Sequence, residues 1–524
     1  MNKAANKVIW SEKIISFLFL LLSIWFFVAR VLFFADSVPG GIIVKVVFIA
    51  AVLAALSVVI IFWPALQRFL NKVAEFIRGI SASKMIATIV IISLLTKIIL
   101  LFTLQIDSSK QEDIKMYWNF IQQLTDKGYI TENAEYAVNY RYTVIYSAFF
   151  LPVTKLFAAN NILICNLYLI ILFTAASCLL FDTVRYCVGK NYAFVAVLLC
   201  NLIPVGMLQP LYLCHENLFI VFHIVAIWFF FRVAPACNSM ALKAVSVMAS
   251  AVCMAFVAVV NKFGLISMVA LGIVAFIKLV RKGSVLKGLL KVICVLLAFA
   301  VAYFGMNTVT QRYTDRVIDQ ASVFQTEKYN FGYGWVLFVG ANYNSSGVWN
   351  YDDYDQYYTH SDLKSEEEVF NYQKSLIVCR YNDYLHHPLR FANHLNNKMK
   401  IISKTFNTLN VNLGGKVNAF IAEGLNGYVA LVVEGAFALL NIIIAFVMLL
   451  SNRKGVGDEN ALNTYMKLVM MGICFCLLVV EVAAKYASVL LFIYLSITVM
   501  QLPGFYKNID GLHGFIKKVL KPKK

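Results

Sequence analysis

The stretch SKMIATIVIISLLTKIILLFTLQI, residues 83–106, is apolar over a length that can cross a bilayer as a helix. Four residues later, QEDIKMYW, residues 111–118, presents two adjacent carboxylates and an aromatic pair. Of all residues in the chain, 60% are hydrophobic and 14% are charged, and the mean hydropathy is +0.73. So much apolar surface exceeds what one water-soluble core can bury, so the sequence predicts an all-α polytopic membrane protein.

Apolar runs near the spanning length predict about twelve membrane helices. The runs lie at about 14–35, 41–64, 85–106, 160–181, 191–209, 214–232, 243–260, 262–280, 286–305, 428–451, 465–484 and 486–503. The basic start of the chain leads into the first run without a small-residue cleavage site, which indicates a retained helix and a cytoplasmic N-terminus.

The net charge of +18 is explained by membrane topology. Lys and Arg cluster in alternate loops, among them 182–191, 281–291 and 513–524, as the positive-inside rule requires of cytoplasmic segments. The predicted partners are therefore membrane lipids and not nucleic acid. Most of the 11 cysteines fall inside apolar runs and no CxxC pair is present, so no disulfide framework is predicted.

We predict four parts of the chain. Residues 1–80 form an additional N-terminal transmembrane hairpin, and 81–305 form a transmembrane core with an outer catalytic loop at 107–159. Residues 306–427 form a small extracytoplasmic domain of helices and loops. Residues 428–524 hold the last membrane helices and a basic cytoplasmic tail.

The outer segments are predicted to hold four short helices. DIKMYWNFIQQLTDKG has one apolar face and ends at Gly128, which predicts an interfacial helix. YTVIYSAFFLPVTKLF is too short to span and is interrupted by Pro152, so we expect a second interfacial helix there. SEEEVFNYQKSLIVCRYNDYL and PLRFANHLNNKMKIISKTFN have helical patterns in the extracytoplasmic domain.

Glu112 and Asp113 follow the membrane helix, and Asp113 lies one helical turn before Tyr117. Acidic residues at a helix N-terminus are stabilised by the helix dipole, so a structural role is one interpretation. The alternative is a general base. A partly desolvated carboxylate at the edge of the hydrocarbon is more basic and can reach a substrate whose lipid tail lies in the bilayer.

Two later motifs lie at the predicted outer ends of spans. In NYRY, Arg141 stands between Tyr140 and Tyr142, where it can reach lipid headgroups or hold a phosphate bidentately. In CHENLF, His215 and Glu216 open a span, and Glu216 is either a satisfied N-terminal acid or a second acid of a shared cavity. Two adjacent residues are weak evidence for a metal site. No metal or cofactor is predicted, and a divalent metal stays an open alternative.

Two more outer turns carry ionisable side chains. NKFG places Lys262 in a tight turn, which Gly264 allows to reverse closely. EVAAKY places Glu481 and Lys485 one helical turn apart, where an intrahelical ion pair is one interpretation. Ionisable residues at bilayer edges tend to line substrate paths, so the alternative is a single polar cavity shared by all these turns.

In their order, EDIKMYW, YRY, HENLF, NKFG and EVAAKY resemble motifs of membrane-embedded GT-C glycosyltransferases, in the branch of bacterial protein O-mannosyltransferases and aminoarabinose transferases. The resemblance extends from about residue 85 to 505, and no single motif is specific. FVGANYNSSGVWNYDDYD and HHPLRFANHLNNKMK are similar to a feature of relatives in bacteria that build wall-linked glycopolymers. Two features depart from the family: the acidic loop follows the third helix, not the first, and Lys485 stands where members often have Arg.

The resemblance implies a GT-C-like bundle and an inverting transferase that uses a polyprenyl-phosphate sugar donor. The acceptor would be an envelope glycopolymer, lipid or protein at the outer face of a bacterial cytoplasmic membrane. Asp113 would act as the base, and Glu112 would position the acceptor or the sugar. Three cations would hold the donor phosphate: Arg141, Lys262 and Lys485. Six side chains would bind substrate: Glu216, His215, Tyr117, Tyr140, Tyr142 and Glu481.

Two other function classes stay open. A lipid-linked glycan flippase or transporter would suit about twelve helices, but we expect charges in the middle of its spans, whereas here they are predicted at the outer edge. An O-antigen-type polymerase or ligase would use similar outer loops with a pyrophosphate-linked glycan. No Gly-rich nucleotide loop is present, which favours a lipid-linked donor over a nucleotide sugar.

Overall fold

The computed structural model describes residues 3–37, 42–104, 112–157, 162–211, 213–281, 285–318, 333–358, 365–404, 439–451 and 461–520. This part of the chain is 90% helical and contains no strand. A bilayer offers no water to backbone polar groups. A spanning segment that is not part of a closed barrel must therefore satisfy them by hydrogen bonds within its own helix. Several of the helices are long and apolar enough to cross a membrane. The chain is therefore an all-α multi-pass membrane protein, as the sequence predicts.

The first half of the described chain forms α1 Lys3–Ser37, α2 Ile42–Ile61, α3 Trp63–Gly79, α4 Ala82–Leu104, α5 Glu112–Asp126, α6 Ala134–Asn139, α7 Arg141–Ala148, α8 Leu151–Leu156, α9 Ile162–Val188, α10 Lys190–Leu202, α11 Pro204–Leu208 and α12 His215–Trp228. Helix α12 continues through a π-helical turn, Phe229–Val233.

The second half forms α13 Met240–Val260, α14 Phe263–Arg281, α15 Val285–Val317, α16 Tyr333–Gly340, α17 Tyr351–Tyr358, α18 Glu366–His386, α19 Pro388–Lys404, α20 Leu439–Ser451, α21 Ala461–Val479, α22 Leu491–Met500 and α23 Leu502–Leu520. A 3-10 helix, Ala484–Leu490, precedes α22. The four short helices predicted in the outer segments are present, the second as the pair α7 and α8.

Seven helices of the described chain can span a membrane by length and composition, or up to ten if each of three bent pairs is one span. The predicted number of twelve is not confirmed. The spans predicted at 41–64, 191–209 and 486–503 coincide with the bent pairs, and the one at 262–280 is the shorter apolar helix α14. Residues 428–438 of the tenth predicted span lie outside the described residues.

Each bent pair has a proline in the first turn of its second helix. Pro64 follows the 70° bend between α2 and α3, Pro204 the 71° bend between α10 and α11, and Pro503 the 56° bend between α22 and α23. Proline lacks the amide hydrogen that would continue the preceding helix, but it is well accommodated at a helix start. The prolines therefore mark the junctions at which the three pairs of helices change direction.

Helix α1 is embedded in the bundle. Its Phe19 and Phe26 are buried in the main hydrophobic core, and it packs against α14, α19 and α21. Near its end, Asp36 forms an ion pair with Lys400 of α19 at 2.7 Å. The predicted N-terminal hairpin is thus in contact with both the transmembrane core and the helices of the predicted extracytoplasmic domain.

Three cationic side chains are buried inside helices that could span the membrane: Arg30 in α1, Lys97 in α4 and Lys467 in α21. Lys97 Nζ donates to Asn201 Oδ1 at 2.7 Å and to Ser93 Oγ at 2.9 Å. Such polar partners reduce the free-energy cost of burying a charge in the bundle. The expectation that the charges gather at the outer edge is therefore wrong for these three residues.

Helices α16 to α19, termed here the helical domain, dock on the bundle where α21 ends. The next residues, 480–483, are not helical, so their backbone groups need other partners. Glu481 N–H donates to Val336 O at 2.7 Å, and Val482 N–H donates to Gly347 O at 2.9 Å. The domain and the end of α21 are therefore joined by backbone hydrogen bonds.

Gly340 allows the close approach of the helical domain to this segment. A Cβ atom on residue 340 would lie 2.4 Å from the carbonyl carbon of Val480 and 2.5 Å from the carbonyl oxygen of Val479. Both atoms belong to backbone, which cannot rotate away as a side chain can. Any larger residue at position 340 must therefore push the domain from the bundle.

We expect Gly340→Ala to destabilise the protein by about 1–3 kcal/mol, the usual cost of an overpacked contact, and to lower its melting temperature. Gly305→Ala is the matched control, because a Cβ there meets nothing within 4 Å and alanine favours the helix α15. Thermal melting of both purified variants measures the difference. Equal melting temperatures for the two variants would contradict the tight contact at Gly340.

Candidate functional site

The segment α5 to α8 packs against one end of the bundle, termed here the loop end. Ile130 forms a parallel bridge with Ile318 beyond α15, and Ile130 N–H donates to Val317 O at 2.7 Å. Helix α7 contacts α12, α13 and α15. Helices α5 and α7, the start of α12 and the end of α13 therefore lie together at the loop end.

Helix α5 is held in place by its apolar face. Tyr117, Phe120 and Leu124 are buried against the bundle and against α6 to α8. Gly128, with a φ of +81°, follows the end of the helix, as the sequence predicts. Gln123 Oε1 accepts hydrogen bonds from two backbone N–H groups of the turn that follows, so the return of the chain is fixed as well.

The centre of the site is a group of aromatic and ionisable side chains, termed here the Tyr–His cluster: Tyr117, Tyr142, Tyr146, His215 and Glu216. Tyr117 Oη lies 2.8 Å from His215 Nδ1, and the ring of Tyr142 lies 4.7 Å from that of His215. The ring of Tyr146 packs on Tyr117 at 5.0 Å. Three sequence motifs thus contribute to one cluster.

Glu216 is the buried acid of this cluster, with 1% of its surface exposed. Its Oε2 lies 3.5 Å from His215 Nδ1, whereas its Oε1 has no hydrogen-bond partner among the described residues. A buried carboxylate oxygen without a donor is costly, since buried polar atoms are normally hydrogen-bonded. Glu216 Oε1 is therefore a buried acceptor that the described side chains leave unsatisfied.

Tyr146 belongs to the site although sequence reasoning did not single it out. Burial raises its pKa well above the usual range, and the nearby carboxyl of Glu216 contributes in the same direction. The phenol therefore stays protonated and can donate a hydrogen bond. The available sequence signal was its spacing of four residues from Tyr142, which places both on one face of α7.

Arg141 and Tyr140 lie at the rim of the cluster. Arg141 Nη1 pairs with Asp315 Oδ1 at 3.0 Å, and both side chains are partly exposed. The ring of Tyr140 packs between Tyr136 at 4.6 Å and Tyr142 at 6.0 Å. Any phosphate that binds Arg141 must therefore compete with Asp315 for the guanidinium group.

Lys262 stands in the turn between α13 and α14. Asn261 Oδ1 accepts a hydrogen bond from Phe263 N–H at 3.0 Å, and a Cβ on Gly264 would lie 2.5 Å from the backbone nitrogen of Ala258, so the reversal is as tight as predicted. Neighbouring protein atoms displace water from the ammonium group and lower the pKa of Lys262, although the side chain keeps exposed surface.

The EVAAKY motif does not form a continuous helix. Glu481 lies in the non-helical residues 480–483, and the 3-10 helix begins at Ala484, so the expectation that Glu481 and Lys485 lie one turn apart on the same helix is wrong. Glu481 is 9% exposed, and its Oε1 accepts a hydrogen bond from Tyr486 Oη at 3.3 Å. The 3-10 helix contacts α12, the helix that begins with His215 and Glu216.

Three predicted site residues, Glu112, Asp113 and Lys485, have side chains outside the described part of the structure. The backbone places Glu112 and Asp113 in the first turn of α5, one turn before Tyr117, and Lys485 in the 3-10 helix. Their roles stay predictions.

Lys398 and His394, on one face of α19, were missed by sequence reasoning. The fully buried Lys398 donates to Gly340 O at 2.8 Å and to Val480 O at 2.6 Å, and His394 Nε2 donates to the same Gly340 oxygen at 2.9 Å. Burial lowers the pKa of Lys398 to about 7 and that of His394 to about 4. Their spacing of four residues in HLNNK was the available signal.

The chemical repertoire of the Tyr–His cluster is that of hydrogen bonding and proton transfer. It offers phenol donors, an imidazole and a carboxylate oxygen beside aromatic faces. In the described part of the chain, no group of three or more His, Cys, Asp or Glu side chains is placed to hold a metal ion.

Comparison of the sequence with known proteins does not assign the chain to a family. No protein-family model matches the chain, and no curated protein matches it. A function must therefore be argued from the site and not from the fold.

We expect Lys398 to make stability depend on pH between about 7 and 10.5. Its folded-state pKa of about 7 lies below the ordinary value of 10.5, so over this interval the unfolded chain binds more protons and the folded state gains stability as pH rises. The melting temperature of the wild type relative to Lys398→Met should rise across this interval and stay level below it.

Lys374→Met, on an exposed part of α18, controls for the loss of any lysine from the helical domain. A constant difference in melting temperature between the wild type and Lys398→Met from about pH 7 to 10.5 would contradict a desolvated ammonium at residue 398.

Proposed function

We propose that the chain is a membrane-embedded glycosyltransferase of the GT-C type. It transfers a sugar from polyprenyl phosphate to an acceptor hydroxyl at the outer face of a bacterial cytoplasmic membrane. The hydroxyl oxygen attacks the anomeric carbon, the bond from that carbon to the phosphate oxygen breaks, and Asp113 takes the hydroxyl proton. The observation that carries the proposal is the hydrogen bond between Tyr117 and His215, which are 98 residues apart.

This hydrogen bond joins the helix of the acidic pair to the HENLF motif, and Tyr142 of YRY packs on the same imidazole. A helix cap or a headgroup contact would explain each motif alone but does not require the motifs to meet. Polar side chains that converge from separate segments are what a substrate site requires. The convergence therefore supports a common site for the residues that carry the family resemblance.

The cluster has suitable groups for a sugar. Glu216 Oε1 lacks a partner among the described residues and can accept from a sugar hydroxyl, while Tyr146 stays protonated and can donate to one. Tyr117 orients the imidazole of His215. The acidic pair lies at the start of α5, one helical turn before Tyr117, and this backbone position supports a base close to these binding groups.

The donor phosphate needs positive charge and no strong acid, because polyprenyl phosphate leaves as a stable anion. Among the cations whose side chains the structure describes, Lys262 is the best candidate to hold the phosphate. Its ammonium is accessible at the loop end and has lost part of its hydration. Lys485 is assigned the same role from the sequence. Arg141 is the weaker candidate, because Asp315 already occupies its guanidinium.

A lipid-linked glycan flippase is the second candidate, and the buried charges within the spans favour it. Arg30, Lys97 and Lys467 lie inside helices of the bundle, where transporters place coupling residues. Lys97, however, is fully enclosed and directs its ammonium at Asn201 and Ser93. An ammonium group that is hydrogen-bonded to protein side chains and closed to solvent is better explained as a structural contact than as part of a substrate path.

The decisive experiment is Asp113→Asn in purified protein, assayed with radiolabelled polyprenyl-phosphate sugars and cell-envelope extract. We expect turnover to fall by about 100-fold or more with donor binding retained, because the variant keeps the shape but cannot accept the proton. Asp126→Asn, at the other end of the same helix, is the matched control and should keep full turnover. Wild-type turnover in Asp113→Asn would contradict the catalytic assignment.

A further inference from the structure

The helical domain carries a cavity of about 680 Å³ of its own. It is bounded by the loop that follows α16 and by α17, α18 and the start of α19, and none of its lining residues belongs to the Tyr–His cluster. Its polar lining includes Asn342, Asn344, Ser345, Asn350, Asp352 and Arg390. The volume lies in the range of small-molecule sites in proteins.

The floor of the cavity is rigid. Asp353, with 2% of its surface exposed, accepts hydrogen bonds from Asn342 Nδ2 at 2.9 Å and Asn350 Nδ2 at 2.8 Å, and from Arg380 Nη2 at 2.6 Å. Arg380 also lies over the ring of Phe338, 3.5 Å from its centroid. A buried carboxylate with this many donors is saturated, so its role is to fix the walls and not to bind a ligand.

The charges in the lining exclude a strongly anionic ligand. Asp353 is paired with Arg380 at 2.6 Å and Asp383 with Arg390 at 2.9 Å. Asp352 is the third carboxylate of the lining, so three carboxylates face two guanidinium groups and the cavity has an excess of one negative charge. A phosphate or a nucleotide would meet repulsion here, whereas a neutral polar ligand would not.

The groups left for a ligand suit hydroxyls. Asn344 and Asp352 are exposed in the lining, and Ser345 Oγ is shielded from solvent without a hydrogen-bond partner among the described residues. Trp349 and Tyr351 stand beside this lining in the sequence, are 38% and 64% exposed, and pack edge to face at 4.7 Å. Planar polar groups in the lining can bond sugar hydroxyls, and an exposed aromatic ring near the rim can cover the apolar face of a sugar. Trp349 and Tyr351 are not themselves part of the lining.

We propose that this cavity binds a neutral saccharide of one or two residues in length, as a site separate from the transfer site. The loop that lines it continues to Gly347, whose carbonyl oxygen accepts a hydrogen bond from Val482 N–H of the EVAAKY motif. Binding at this site needs no donor lipid and no turnover. It is therefore independent of the proposed transferase activity and can be tested without it.

The test is calorimetric titration of the full chain in lipid nanodiscs with maltose, cellobiose and N,N′-diacetylchitobiose, and with glycerol phosphate oligomers as the anionic probe. We expect at least one disaccharide to bind and the anionic probe not to bind. Asp352→Ala should weaken binding about tenfold or more, the usual effect of losing a hydrogen bond to a charged group. Asp355→Ala, an exposed residue of the same helix outside the lining, should bind as the wild type does.

The Asp113→Asn variant should bind the disaccharide with unchanged affinity, which separates this inference from the catalytic proposal. The inference is overturned if all three disaccharides fail to bind at millimolar concentration, or if only the anionic probe binds. Equal affinities of Asp352→Ala and the wild type would overturn it as well, provided that thermal melting shows the variant to be folded.

Discussion

The end of helical structure at residues 480–483 is the constraint on which the docking of the helical domain depends. Peptide groups released from a helix and removed from water must find other partners. The helical domain supplies them through Val336 O, Gly347 O and the buried ammonium of Lys398. The same contacts position Glu481 and hold the loop of the helical domain against the bundle, so one helix break determines how this domain is attached.

Much of the fold could be predicted because it is determined locally. Apolar runs of spanning length identify α1, α4, α9 and α21, and Gly128 marks the end of α5. The number of spans could not be read from length alone, since a run gives no sign of a bend until its proline is considered. Pro64, Pro204 and Pro503 are visible in the sequence and are the signal that a count of apolar residues overlooks.

The site was predictable to the extent that its residues share one end of the bundle. Tyr117 and Tyr142 lie in contact with His215, whereas a single cavity shared by all the outer turns stays a prediction. The pairing of Arg141 with Asp315 and the burial of Lys398 were not predicted, because both depend on partners that the local sequence does not identify. The charges inside the spans were missed for the same reason: the enclosure of Lys97 depends on Asn201, about 100 residues away.

The central claim is that the motifs at the loop end form one site for a lipid-phosphate sugar, and photolabelling tests it most directly. Purified protein would be irradiated with a polyprenyl phosphate that carries a photoreactive group next to the phosphate, and the labelled peptides would be identified by mass spectrometry. We predict labels within α7, the start of α12 and the turn at Lys262, which unlabelled donor displaces. Labels concentrated around Lys97 and Asn201, or labels that the donor does not displace, would contradict the account.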